Sequence, residues 1–158
     1  MKISDKVHEE CAVFGVSTLK EEAAGITYNG LLTLQHRGQE GAGIAVSSQG
    51  KILYHKNIGL VSEVFSGNVL QNRLKGHIAV GHTRYSNGEG SSIEHCQPLI
   101  FNFKGGRIAI AHNGNLINAS KIRYNLENKG AIFQTSSDVE VIANLISRNG
   151  LKCNDLEE

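Results

Sequence analysis

Short apolar runs, glycine turns between them and a few amphipathic helices predict an α+β layered sandwich. Three stretches carry this expectation. Residues 11–17 form a short apolar run, CAVFGVS, with polar neighbours. Residues 43–48 and 51–56 are strand-like and meet at Gln49-Gly50, a hairpin signature. After Ser137, the residues Val139, Ile142, Ala143 and Ile146 fall at i, i+3, i+4 and i+7, so one helix face is apolar. A length of 158 residues suggests about one domain, and no repeat or linker divides it.

Taken in order, residues 1–10 are polar and charged, without periodicity. The run 11–17 reads as a buried strand. Thr18 with Glu21 forms a capping-box pattern opening a helix that contains Ile26, Leu31 and Leu34. Arg37 followed by Gly38 reads as its end, a cation in the last turn and then a glycine cap. After the hairpin, Val61, Val64 and Phe65 suggest a short helix. Residues 77–85 (HIAVGHTRY) and 107–114 (RIAIAHNG) read as two further strands. The segment between them includes residues 87–92, NGEGSS, whose composition predicts a mobile loop. Residues 115–128 form a polar helix with Leu116, Ile122 and Leu126 on its sparse apolar face. Ser137 with Glu140 predicts a capping box for the last helix, which Gly150 ends.

Charge and composition exclude several roles. A net charge of +1 provides no basic field for nucleic acid or an anionic membrane. No run approaches the roughly 18 apolar residues of a membrane span. MKISDKVHEE lacks the apolar centre of a secretory signal, so a cytoplasmic location is expected. Cys11, Cys96 and Cys153 are too few and too dispersed for a disulfide scaffold or a zinc knuckle. Their odd number points to free thiols. His77 and His82 lie five apart on one strand and point to opposite faces. The glycines of GQEGAG follow a helix and precede a strand, the wrong order for a dinucleotide loop. The expected metal content is none.

Five residues remain with chemical potential. Cys11 on an apolar run reads as a small buried hydrophobe. It also stands where cleavage after Glu10 unites a thiol and a free α-amine, a base titrating near ~7.7–8.0, in one residue. Arg84 presents a planar fork suited to a carboxylate, or an ordinary surface cation. Asp138 suits an α-ammonium, and equally suits the positive end of its own helix. Asn113 and Gly114 are either a plain Asn-Gly turn or an amide and a backbone N–H aimed at a developing oxyanion.

The segments ECAVFGV, LTLQHRGQEGAG, GHTRY, AHNGNL and IFQTSSDVEV, in this order, resemble the glutamine phosphoribosylpyrophosphate amidotransferase family over residues 11 to about 148. Hexosamine-forming relatives typically carry a YRGYDSAG-like segment where this chain has residues 35–43, QHRGQEGAG. The resemblance implies a four-layer αββα sandwich of the N-terminal-nucleophile hydrolase type. It implies a removable leader at residues 1–10 and a glutaminase domain at 11–158, incomplete at its C-terminus and without a phosphoribosyltransferase domain. By the same resemblance Cys11 is the nucleophile, Asn113 and Gly114 form the oxyanion hole, Arg84 grips the glutamine α-carboxylate and Asp138 its α-ammonium. Arg37 falls on a family arginine near the nucleophile, and residues 87–92 on the part of the chain that closes over glutamine.

The implied activity is hydrolysis of the glutamine side-chain amide through a Cys11 thioester, supplying ammonia for phosphoribosylamine formation in purine synthesis. The implied partners are L-glutamine and a phosphoribosyltransferase domain or chain, in a homo-oligomer. Magnesium belongs with that second domain, and no cofactor is expected in this chain. Three cysteines do not anchor the iron–sulfur clusters of some relatives. Two other readings compete: a non-catalytic remnant acting as an interaction module, and a hexosamine-type amidotransferase domain.

Overall fold

A computed structural model of the chain describes residues 11–85 and 92–150. The expected leader (1–10), most of the expected loop (87–91) and Cys153 lie outside the described residues. The architecture is α+β with antiparallel sheets. A four-stranded sheet has the order β1-β4-β2-β3, formed by β1 (Ala12–Ser17), β2 (Gly41–Ser48), β3 (Lys51–Ile58) and β4 (Ile78–Arg84). A second, two-stranded sheet pairs β5 (Leu99–Phe103) with β6 (Gly106–Ile110).

The first sheet is held by alternation. Ala42, Ile44 and Val46 of β2, with Ala79 of β4, turn toward α1 (Ala23–Thr33) and α2 (Val61–Val64). Ala23, Ala24, Thr27 and Leu31 form the buried face of α1. Leu31, Ile44, Val46 and Val61 are almost wholly buried; each contributes about 1.5–3 kcal/mol by leaving water. The opposite face carries Val80 and His82. It is approached by the second sheet, with β6 against β3, while α5 (Asp138–Gly150) packs on β5 and on α4 (Ala119–Glu127). A five-residue helix, α3 (Val69–Arg73), completes the described elements.

Several expectations need correction. The first strand is not buried on both faces: Phe14 and Val16 pack toward the core while Val13 is 37% exposed, because β1 has a neighbour on one side only among the described residues. The capping box at Thr18 does not form. Thr18 Oγ1 donates to the carbonyls of Lys20 and His77, and α1 begins five residues later. α1 stops at Thr33, and Arg37 belongs to a separate 3-10 turn, Gln35–Arg37. α4 starts at Ala119, so residues 115–118 precede it. At α5, Ser137 Oγ does accept the Val139 amide (3.2 Å). Glu140 does not reach back to Ser137; its two oxygens accept the amides of Gln134 (2.8 Å) and Thr135 (2.9 Å).

Candidate functional site

Strand pairing brings the first candidate into place. Antiparallel register sets Ala12 opposite Thr83, so Cys11, one residue earlier, lies beside the end of β4. There Cys11 Sγ accepts the Tyr85 amide at 3.3 Å, and its thiol faces the Tyr85 carbonyl at 3.4 Å. The thiol is half-buried.

Beyond β6 the chain runs without helix or strand through residues 111–118. Gly114 turns at φ +138°, a value a side chain disfavours, so the residue type there is a backbone requirement. The segment is held by side chains at both ends. The His112 amide donates to Gln97 Oε1 (2.7 Å), and the Leu116 amide donates to Asp138 Oδ2 (2.7 Å). Asp138 is the first residue of α5, where the helix dipole adds to the field on its carboxylate.

These three segments enclose a cavity of about 380 Å³ whose lining includes Cys11, Tyr85, Gln97, Asn113, Gly114 and Asp138. Cys11 is thus brought together with Asn113, Gly114 and Asp138, each more than a hundred positions away from it in the chain. Arg84 and Arg37 do not line this cavity. Arg84 is half-buried at the end of β4, with Nη1 donating to the His95 carbonyl at 3.2 Å and Nε buried without a partner among the described residues. Arg37 is half-buried in its 3-10 turn, next to Gly38, which packs against the Thr83 and Arg84 backbone. The sequence reading assigned no role to Tyr85 or Gln97. The first was visible within GHTRY, the second only as the neighbour of Pro98.

Under this site lies an unusual histidine. His82 is 1% exposed, and among the described residues neither ring nitrogen has a well-formed hydrogen bond. Burial and then the Arg84 guanidinium depress its pKa to about 4; the His112 backbone pulls the other way, and the His112 imidazole adds a smaller depression. His82 is therefore neutral at physiological pH. Cys96 is fully buried, and burial pushes its thiol up, as fits an inert packing residue.

A larger cavity, about 550 Å³, opens between β3 and β5 but holds none of the four convergent residues. Its Glu140 carboxylate is engaged by two amides and its Lys56 by the Cys96 carbonyl (2.6 Å), leaving little free chemistry. Among the described residues, no group of three or more His, Cys, Asp or Glu side chains could hold a metal ion. No helix among them is long and apolar enough to cross a membrane.

Comparison with known proteins agrees with this geometry. Residues 66–157, more than half of the chain, match the family model described as "Glutamine amidotransferase domain". The chain is 52% identical over 145 residues to an amidophosphoribosyltransferase of Bacillus subtilis, covering 91% of this chain and 30% of that protein. It is 51% identical over 146 residues to one of Methanocaldococcus jannaschii, covering 92% and 31%. A solved structure titled as the allosteric regulatory enzyme of purine biosynthesis superposes with a TM-score of 0.82 at 52% identity, over 87% of this chain and 30% of that one. The chain therefore spans about a third of the length of these relatives.

Proposed function

This chain belongs to the glutamine amidotransferase domain family, and from that membership we propose that it hydrolyses the side-chain amide of glutamine through a thioester on Cys11. The observation that carries the reading is the convergence of Cys11, Asn113, Gly114 and Asp138 on one cavity. Removal of residues 1–10 frees the Cys11 α-amine, which takes the thiol proton. The sulfur attacks the carboxamide carbon, forming the S–C bond, while the Asn113 side-chain amide and the Gly114 N–H receive the negative oxygen. The C–N bond then breaks and ammonia leaves with the proton held on the α-amine. Water attacks the thioester, releasing glutamate and restoring the thiol.

Asp138 keeps one oxygen on Leu116 and offers the other to the α-ammonium of glutamine. Arg84 meets the α-carboxylate once its guanidinium swings from the His95 carbonyl, and Arg37 braces the end of β4 behind it. Fixing the amino-acid end sets the carboxamide over sulfur, an orientation effect worth several powers of ten. The names of the relatives support a phosphoribosyl acceptor, on a second domain or chain, over a hexosamine one. The α1 layer, two sheets and the α4–α5 layer are consistent with an αββα sandwich.

The test joins intact mass with glutamate release from the purified chain. A mass lacking residues 1–10, with glutamate production abolished in Cys11→Ser, is expected. Normal release in Cys11→Ser overturns the reading. So does silence in a chain whose mass shows Cys11 as its first residue; a retained leader with no release favours the non-catalytic module.

A further inference from the structure

We propose that Gln97 is a positioning residue that sets the oxyanion-stabilising segment at its working distance from Cys11. This rests on the glutaminase reading above. The segment after β6 carries both proposed oxyanion donors, yet among the described residues its amides take part in no sheet or helix ladder. Its hold is two side-chain acceptors on either side of Asn113 and Gly114. Asp138 takes the Leu116 amide and Gln97 takes the His112 amide, each at 2.7 Å. The Gln97 bond holds the residue immediately before Asn113.

Gln97 is itself well anchored. It follows the buried Cys96, precedes the buried Pro98, and its backbone carbonyl lies so close to Gly43 of β2 that a Cβ there would collide with it. The side chain therefore transmits the position of the central sheet to a loop that has no ladder of its own. Cys11 is attached to that same sheet through β1 and β4. Nucleophile and oxyanion donors thus share one rigid reference, and Gln97 is the link on the donor side. Because an oxyanion donor acts on the transition state and not on bound glutamine, loosening this link lowers kcat and leaves KM nearly unchanged.

The experiment compares the full chain with Gln97→Met, which keeps length but has no carboxamide acceptor, and Gln97→Glu, which keeps an acceptor oxygen. Glutaminase kinetics and amide hydrogen exchange at His112 are measured on all three. The expected result is a loss of kcat of about 10- to 100-fold in Gln97→Met with KM changed less than about threefold. His112 exchange should accelerate in the same variant, and Gln97→Glu should recover most of both. Unchanged kcat per titratable Cys11 thiol in Gln97→Met overturns the proposal, since a merely structural role lowers only the amount of competent protein. If the parent chain releases no glutamate although its leader is gone, the glutaminase reading fails. The exchange arm still decides the link: unaltered His112 protection in Gln97→Met refutes it.

Discussion

Acidification should destabilise this domain through His82. The ring lies on β4, 1% exposed, on the sheet face away from α1, beside Arg84 and His112. Its pKa falls from the ordinary 6.5 to about 4 in the folded state. The unfolded chain therefore binds the proton more tightly between those values, and stability rises with pH across that window. The contribution is complete above pH 6.5 and is lost as pH falls toward 4. A shift of that size corresponds to roughly 3 kcal/mol in full, of which about 2 kcal/mol is gone at pH 5. That is a large part of the ~5–15 kcal/mol available to a domain. The assay is urea unfolding between pH 7 and pH 4.5 for the parent and His82→Leu, which removes both unpartnered nitrogens and keeps a buried apolar volume. The variant should be within about 1 kcal/mol of the parent at pH 7 and should lose the steep acid limb. An acid limb of equal steepness in both proteins refutes the reasoning, as does an imidazolium signal for His82 in the folded parent at pH 6.

Two substitutions test the construction of the site. In Gly38→Ala, the new Cβ would stand 2.8 Å from the carbonyl carbons of Thr83 and Arg84. Backbone must move, and a drop in the urea midpoint equivalent to about 1–3 kcal/mol is expected; an unchanged midpoint contradicts the packing described. Asp138→Asn keeps an oxygen for the Leu116 amide but removes the charge proposed to meet the glutamine α-ammonium. It should raise KM for glutamine by about 10- to 100-fold with stability nearly intact, whereas Asp138→Ala should also lose about 1–3 kcal/mol. Equal stability of the two variants would show that the Leu116 bond contributes nothing.

Much of the fold was legible because local rules agreed with the tertiary outcome. The Gln49-Gly50 turn has positive φ at both residues, as a two-residue hairpin needs, and it closes β2 on β3 where expected. The apolar spacing of α5 matches its buried Val139 and Ala143, but Ile146 on the same spacing is 42% exposed and Val141, off it, is fully buried. The misses have physical causes. The run LIFNF became β5 although a short apolar stretch carries no period by which to distinguish it. Thr18 and Glu21 matched a capping pattern, but the Thr18 hydroxyl turned to the Lys20 and His77 carbonyls, and α1 begins only at Ala23.

By itself the sequence determined most of the elements, though not β5 or the bounds of α1 and α4, and it named Cys11, Asn113, Gly114 and Asp138 as chemically suitable residues. Periodicity, turn chemistry and side-chain functional groups are local properties. Only the tertiary structure decided that these residues meet. The order β1-β4-β2-β3 sets Cys11 against Tyr85, 74 positions away, and the packing of α5 draws Asp138 to Leu116. The tertiary structure also turned the Arg84 Nη1 toward the His95 carbonyl, made His82 a buried neutral ring, and gave Gln97 its bond to His112. Such distances follow from long-range strand pairing and burial, which no window of neighbouring residues contains.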